Sequence, residues 1–429
     1  MSSVCDKQRK DFDVEQSPIS TLTVVGLGYI GLPTAVFFAN AGLTVRGVDT
    51  SDRVLQTLNE GRATFEEPGF SSLLTRALEG GLLEVGKDIH PSDAFVIAVP
   101  TPLGEGRSFD NSYINSAADA IAPNLKGGEL VVLESTSAPG TTEALAQRIV
   151  SSRPDLTLEE DRENSVYFAY CPERVIPGGI TAEMPANDRV VGGTTETATC
   201  MAEELYKCFV RGSIRSSTAI TAEMVKLTEN AFRDVNIAFA NELSLICADL
   251  EVDVWELIDL ANLHPRVNIL TPGPGVGGHC IAVDPWFLAA STQSAHLIRV
   301  AREVNDAKPE FVCSQIQNKI DSGSLKEVAL FGLAFKADVG DLRESPALKI
   351  ASLIAKRNPK VSLRVVEPNI SHLPPSLEYA DNVRLDSAEG ALSNSELAVL
   401  LVAHSTFLSV DKRQFPEVEF LDFTGKWTD

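Results

Sequence analysis

Apolar positions recur along the chain in two rhythms. In the first 215 residues, short apolar runs alternate with helical patterns: Thr21–Val25 (TLTVV), Leu43–Val48, Ala94–Val99 (AFVIAV), Leu130–Leu133 (LVVL), Val166–Tyr170 (VYFAY) and Arg189–Val191. Such runs read as buried strands, and their alternation with helices is the rhythm of a parallel sheet covered on both faces. Ser151–Ser165 is polar and acidic and predicts an exposed insertion. From Thr221 to Leu250 there is neither Gly nor Pro, and the apolar period becomes that of a helix. One long helix is predicted there, with shorter ones at Val254–Asn262 and His296–Asp306. The first rhythm returns near Lys326, with strand-like Glu327–Leu333 (EVALFGL), Leu363–Val366, Leu397–Val402 and Val418–Phe423.

The first apolar run leads into Gly26-Leu-Gly28-Tyr29-Ile30-Gly31 and a helical pattern from Leu32 to Ala41; the second run ends in Asp49. Strand, glycine turn, helix, strand and acid form the dinucleotide fingerprint. The glycines make the turn and admit a pyrophosphate, whose charge meets the helix N-terminus. Asp49 would accept the ribose hydroxyls and repel a 2′-phosphate, favouring NAD over NADP, whereas Arg46 and Arg53 pull the other way. The competing reading is a helix–strand contact that needs small residues. The second α/β stretch has the pattern of another nucleotide-binding sheet without the fingerprint. The expected fold is therefore α/β: two Rossmann-like doubly wound domains joined by a long central helix. Its segments are a disordered tail at 1–20, a dinucleotide domain at 21–215, a helical central and dimerisation region at 216–310 and a second nucleotide domain at 320–429.

Length and composition narrow the partners. A chain of 429 residues holds two or three domains. Hydrophobic residues make up 44% and charged residues 22%, a globular composition. The net charge, 37 − 59 = −22, argues against nucleic acid and against an anionic membrane surface. An anionic small molecule remains possible if cations gather locally. Seven cysteines (Cys5, Cys171, Cys200, Cys208, Cys247, Cys280, Cys313) are scattered without metal-ligand spacing, which predicts reduced thiols, a cytoplasmic protein and no metal. The first 20 residues are polar, unlike a signal peptide, and no apolar run approaches the ~18 residues of a membrane span.

Chemistry concentrates in residues 271–285, TPGPGVGGHCIAVDP, where Cys280 ends a stretch holding Gly273, Gly275, Gly277 and Gly278, and Asp284 follows four positions later. Glycines let backbone approach a ligand, so the cysteine is placed to attack something bound, given a cation or cofactor to raise its thiolate fraction. A buried structural cysteine beside a loop is the other reading. On the long helix Lys226, Asn230 and Arg233 share one face. They read either as a solvated surface or as donors to an oxyanion. Val99-Pro-Thr101-Pro, Glu134-Ser-Thr136, Cys171-Pro-Glu173-Arg174-Val175, Phe335-Lys336 and Asp341-Leu-Arg343-Glu-Ser-Pro346 follow strands, at the edge where doubly wound folds bind ligands.

With these motifs assembled, the chain resembles the UDP-glucose/GDP-mannose dehydrogenase family from about Leu22 to Trp427. GLGYIGLP, VPTP, EST, CPERV, KLTEN, GGHC with Asp284, FK and DLRESP occur in the family order. AYCPERV, KLTENAFRDVNIAFANELS, HPRVNIL and PGPGVGGHCIAVDPWF are similar to the branch of the family acting on UDP-N-acetyl-D-mannosamine. His279 stands where the glucose enzymes typically carry another residue in the loop. The resemblance implies a four-electron oxidation of a UDP-sugar primary alcohol to a carboxylate with two NAD, in making surface-polysaccharide precursors. The runners-up are UDP-N-acetylglucosamine or UDP-glucose 6-dehydrogenation. It implies Cys280 as nucleophile, Lys226 with Asn230 handling the alcohol proton and oxyanions, Asp284 orienting Lys226 and water, and Glu173 with Thr136 positioning water. Arg174, Val175, Lys226, Asn230, Arg233, His264, Arg266, Gly277, Phe335, Lys336 and Lys426 match substrate-binding positions. Gly26, Gly28, Tyr29, Ile30, Gly31, Asp49, Val54, Thr101, Thr142 and Arg343 match NAD-binding ones. A homodimer or larger assembly is expected through the long helix.

Overall fold

The computed structural model describes residues 19–427 apart from 177. The tail predicted at 1–20 therefore lies outside the described residues but for its last two. The chain divides into two compact units, Met1–Thr228 and Glu229–Asp429.

The first unit is built on eight strands: β1 (Thr21–Val25), β2 (Thr44–Val48), β3 (Leu83–Gly86), β4 (Ala94–Ile97), β5 (Leu130–Leu133), β6 (Tyr167–Tyr170), β7 (Arg189–Gly193) and β8 (Ile214–Thr218). Their order is β3-β2-β1-β4-β5-β6-β7-β8. β7 pairs antiparallel with β6, and the other pairings are parallel. Alternate residues of one strand feed opposite cores: Ala94 and Val96 pack with one cluster, Phe95 and Ile97 with the other. This double burial produces the continuous apolar runs. Chain order reverses between β1 and β4, the switch point at which such sheets open a ligand crevice. β3 and β8 lie at the two edges and carry few apolar side chains, so the sequence pattern does not mark them. The segment predicted as an exposed insertion, Ser151–Ser165, is mostly exposed, with Leu156 and Ser165 buried.

The long helix, Ala219–Asp249, has 31 residues and spans about 46 Å; it contributes residues to both units. In the second unit, Val254–Ala261 and Asp284–Ser291 precede a 28-residue helix, His296–Gly323. The sequence pattern predicts its end at Asp306, and a proline inside a helix costs about 3 kcal/mol or more. It instead continues through Pro309, since Val312, Cys313, Ile316 and Ile320 beyond it are buried in the second core. Burial at roughly 1.5–3 kcal/mol per large apolar side chain outweighs the proline. Asp234 accepts from Arg302 at 2.6 Å and from Asn305 at 2.8 Å, tying this helix to the long one. The second sheet has β9 (Glu327–Phe331), β10 (Ser362–Val366), β11 (Val383–Leu385), β12 (Leu397–Leu400) and β13 (Glu419–Asp422). All are parallel, in the order β11-β10-β9-β12-β13.

Candidate active site

In the first unit the turn after β1 is held in one shape. Gly26 has φ +94°, and a Cβ there would lie 2.5 Å from the Ala98 carbonyl oxygen. Gly28 is exposed, and a Cβ there would meet nothing within 4 Å, so the turn is open on that side. The helix Gly31–Asn40 begins here with no side chain capping its N-terminus. Asp49, just past β2, accepts from the Leu27 amide at 2.9 Å and the Ser51 amide at 2.8 Å, which fixes its carboxylate beside the turn. An open glycine turn, an uncapped helix N-terminus and an oriented acid fit a dinucleotide. Val54 and Thr101 are half-buried. Thr142 is fully buried, and its hydroxyl and amide both donate to Glu223, at 2.6 and 2.7 Å. Burial pushes the Glu223 carboxyl above its usual value.

The Tyr29 hydroxyl donates to Glu67, which also accepts from the Gly178 amide at 2.7 Å. Burial, and then the Glu67 charge, push the Tyr29 phenol upward. Glu67 thereby links the fingerprint turn to the loop after CPERV. The sequence analysis did not flag it, because its partners are distant in sequence.

A second unflagged group is Arg189. Fully buried, it pairs with Glu173, while the Glu173 carboxylate also accepts from the Arg174 amide at 2.7 Å. Glu134, at the end of β5, lies 3.8 Å from the same guanidinium. It accepts from Thr34 on the fingerprint helix and from Tyr206, each at 2.8 Å. Burial raises the Glu134 carboxyl to about 7 despite Arg189. Cys171 beside them is pushed by burial up to about 12, an inert thiol. Thr136 is half-buried past β5, and Arg174 and Val175 are half-buried past β6. Lys226 is half-buried on the long helix.

In the second unit Cys280 is an exposed thiol outside any disulfide. Its carbonyl accepts from the amides of Val283 at 3.1 Å and Asp284 at 2.8 Å, so the loop turns directly into the helix Asp284–Ser291. The Asp284 side chain is buried and accepts from Asn230 at 2.5 Å. Gly277 and Gly278 permit the close approach of Phe335. A Cβ on Gly277 would lie 2.4 Å from the Glu344 carbonyl oxygen, and one on Gly278, φ +82°, 3.0 Å from the Phe335 ring. Burial, then the Arg343 charge, holds His279 below its ordinary value and favours the neutral ring. Arg343 is exposed and paired with Asp341 at 2.6 Å. Arg233, His264, Arg266, Lys336 and Lys426 are exposed. Among the described residues Cys171, Cys208, Cys247, Cys280 and Cys313 are outside any disulfide, but Cys200 is disulfide-bonded, against the expectation of reduced thiols throughout. Among the described residues no cluster of His, Cys, Asp and Glu could hold a metal, and no helix is long and apolar enough to cross a membrane.

Comparison with known proteins accounts for both units. Residues 20–210 match the NAD binding domain of the UDP-glucose/GDP-mannose dehydrogenase family, 220–307 its central domain and 329–420 its UDP binding domain. An NDP-N-acetyl-D-galactosaminuronic acid dehydrogenase from Ralstonia nicotianae is 50% identical, over 95% of this chain and 96% of the relative. A UDP-N-acetyl-D-mannosamine dehydrogenase from Escherichia coli is 49% identical, over 95% of this chain and 99% of the relative. The solved UDP-D-ManNAc dehydrogenase of Pyrococcus horikoshii is 38% identical, with a TM-score of 0.84 over 95% of this chain and 96% of that one. The chain belongs to the UDP-glucose/GDP-mannose dehydrogenase family. With an NAD-binding and a UDP-binding domain, it is an NAD-dependent UDP-sugar dehydrogenase.

Proposed function

We propose that the chain oxidises UDP-N-acetyl-D-mannosamine to UDP-N-acetyl-D-mannosaminuronate, supplying a surface-polysaccharide precursor. The observation that carries this reading is the exposed Cys280 thiol on a loop anchored by Asp284, whose carboxylate is held by Asn230. NAD, when bound, supplies the hydride acceptor for each of two successive oxidations. Lys226 takes the proton from the C6 hydroxyl and, with Asn230, stabilises the oxyanion. The Cys280 sulfur adds to the resulting aldehyde carbon, a C–S bond forming as the carbonyl oxygen gains a proton. The second oxidation leaves a thioester on Cys280. Water positioned by Glu173 and Thr136 attacks it, the C–S bond breaks, and the thiol and the sugar acid are released. Overall, one alcohol, two NAD⁺ and one water give one carboxylate, two NADH and three protons. Arg174, Val175, Arg233, His264, Arg266, Gly277, Phe335, Lys336 and Lys426 hold the nucleotide sugar. Tyr29, Ile30, Asp49, Val54, Thr101, Thr142 and Arg343 hold NAD.

The Escherichia coli relative supports the manno substrate. The Ralstonia relative, at equal similarity, supports a second reading in which the sugar is of the N-acetyl-D-galactosamine series. A screen of purified enzyme against UDP-linked ManNAc, GalNAc, GlcNAc and glucose, counting NADH per acid, separates them. Fastest turnover of UDP-ManNAc with two NADH per acid is expected. A better galacto or gluco substrate would overturn the choice of sugar, and one NADH with free aldehyde would overturn the four-electron course.

The proposed assembly is a homodimer. Phe232, Phe239 and Ile246 recur every seven residues along the long helix with exposures of 70%, 51% and 46%. Leu250, Leu260 and Leu263 are also exposed. Exposed apolar side chains on one face of a helix mark an interface, and a second copy of the same helix covers them isologously. An active monomer in sedimentation at micromolar concentration would refute this. The proposed location is the cytoplasm: Cys280 and four further described cysteines outside any disulfide suit a reducing compartment, and one bridge, at Cys200, runs against it; recovery of the activity only from an extracytoplasmic fraction would contradict it.

A further inference from the structure

We propose that His404 and Glu367 are a positioning pair for nucleotide-sugar binding, pinning both ends of the turn that bears Phe335 and Lys336. β10 and β12 flank β9, and the pair sits just past their ends: Glu367 follows β10 and His404 follows β12. Both side chains are buried. Glu367 Oε2 accepts from the amides of Leu333 at 2.8 Å and Ala334 at 3.1 Å, at the start of the turn. His404 Nδ1 accepts from the Asp338 amide at 2.9 Å, at its end. With Nδ1 an acceptor, His404 Nε2 is the donor to Glu367 Oε2, at 3.0 Å, which ties the two anchors together. Asp338 has φ +60°, a left-handed conformation that a non-glycine residue keeps only when its surroundings hold it. Its carboxylate is held in turn by the amide and hydroxyl of Ser405, at 2.8 and 3.0 Å.

Glu367 stands at the end of the second strand of its sheet, where Asp49 stands in the first. Asp49 is half-buried beside an open turn, as a ribose acceptor should be. Glu367 is 4% exposed and committed to the turn amides, His404 and Asn369. In the second sheet the acid at this place is thus an internal clamp on the turn rather than an open acceptor. The clamp reaches further, because Gly277 and Gly278 of the Cys280 loop lie against the Phe335 that it fixes.

The proposal rests on Phe335 and Lys336 binding the nucleotide sugar, so binding is measured directly. The full chain is titrated with UDP by calorimetry, then assayed for KM of the UDP-sugar and of NAD. Glu367→Gln preserves shape, His404→Asn keeps an acceptor for Asp338 but loses the bond to Glu367, and His404→Gln does the reverse. Each should weaken UDP binding and raise the UDP-sugar KM by about tenfold, as expected for a lost hydrogen bond involving charge, and leave the NAD KM unchanged. Unchanged UDP affinity in a folded variant, or an equal loss for NAD, overturns the proposal. Should all three variants unfold, hydrogen exchange of the native chain decides. Protection of the 333, 334 and 338 amides supports the clamp, and exchange as fast as an open loop overturns it. A wild-type chain that binds no UDP would overturn the underlying reading instead.

Discussion

Glu134 offers a test that can be worked from the buried network itself. It shares one guanidinium, Arg189, with Glu173, and Glu173 makes the closer pair. Two carboxylates against one cation leave an uncompensated charge in a buried site, so burial raises Glu134 to about 7 from an ordinary 4.5. Between these values the folded chain keeps a proton that the unfolded chain has released. Stability from this group is therefore present below about pH 4.5 and is lost as pH rises towards 7. At about 1.4 kcal/mol per pH unit the difference is on the order of 3 kcal/mol. Glu134→Gln removes the titration. An amide can donate to one of the hydroxyls of Thr34 and Tyr206 and accept from the other, so the network survives. The variant should match the wild type near pH 4 and exceed it near pH 8, by an amount approaching that difference. Urea unfolding followed by far-UV circular dichroism at several pH values measures this. Parallel stability profiles for the two proteins would show that Glu134 is ionised in the folded state and that the charge argument is wrong.

Cys280→Ala should abolish acid formation while UDP-sugar binding measured by calorimetry stays near wild type, because the thiol captures the aldehyde and contributes little affinity; acid made at the normal rate would exclude it as nucleophile. Lys226→Ala should lower kcat by roughly 10²-fold or more, the usual cost of a lost acid–base or oxyanion group, and unchanged turnover would return this helix face to plain solvation. Asp49→Ala should weaken NAD and narrow the preference over NADP, since the carboxylate both accepts hydroxyls and repels a phosphate; selectivity equal to wild type would place that discrimination elsewhere.

The central strands and the fingerprint were legible because burial on both faces imposes a sequence signature. β1, β4 and β5 read as unbroken apolar runs, and the GLGYIG turn has a local geometric requirement that only glycine meets at Gly26. Edge strands escape this logic. β8, Ile214–Thr218 (IRSST), is stabilised by its backbone ladder to β7 rather than by apolar side chains, so nothing in its composition announces it. The length of the helix His296–Gly323 was misjudged for a related reason. Its second half, past Pro309, is held by the tertiary burial of Val312 and Ile316, which the local pattern does not show.

The residues proposed to touch ligands and the residues that hold their loops differ in what they leave in a sequence. Cys280, Lys226 and Asp49, proposed for chemistry and cofactor binding, sit in short motifs, because a group with such a role must be delivered by a particular local backbone. Arg189, Glu67, Glu367 and His404 sit in none. Arg189 meets Glu173 and Glu134 across 16 and 55 positions of chain (189 − 173 and 189 − 134), and neither the CPERV nor the EST motif points to it as the partner. What makes them consequential is burial, which removes water as a competing partner and turns each hydrogen bond into a constraint on the loop it holds. In both units these constraints fall on loops that follow the C-terminal ends of strands: Glu173–Arg174 after β6, Leu333–Asp338 after β9. A doubly wound sheet brings its strand ends together from distant parts of the chain, so a buried charge at one end can fix the loop at the next. In each unit the loops past the strand ends are thus held by pairings that the topology creates and that no local sequence pattern can record.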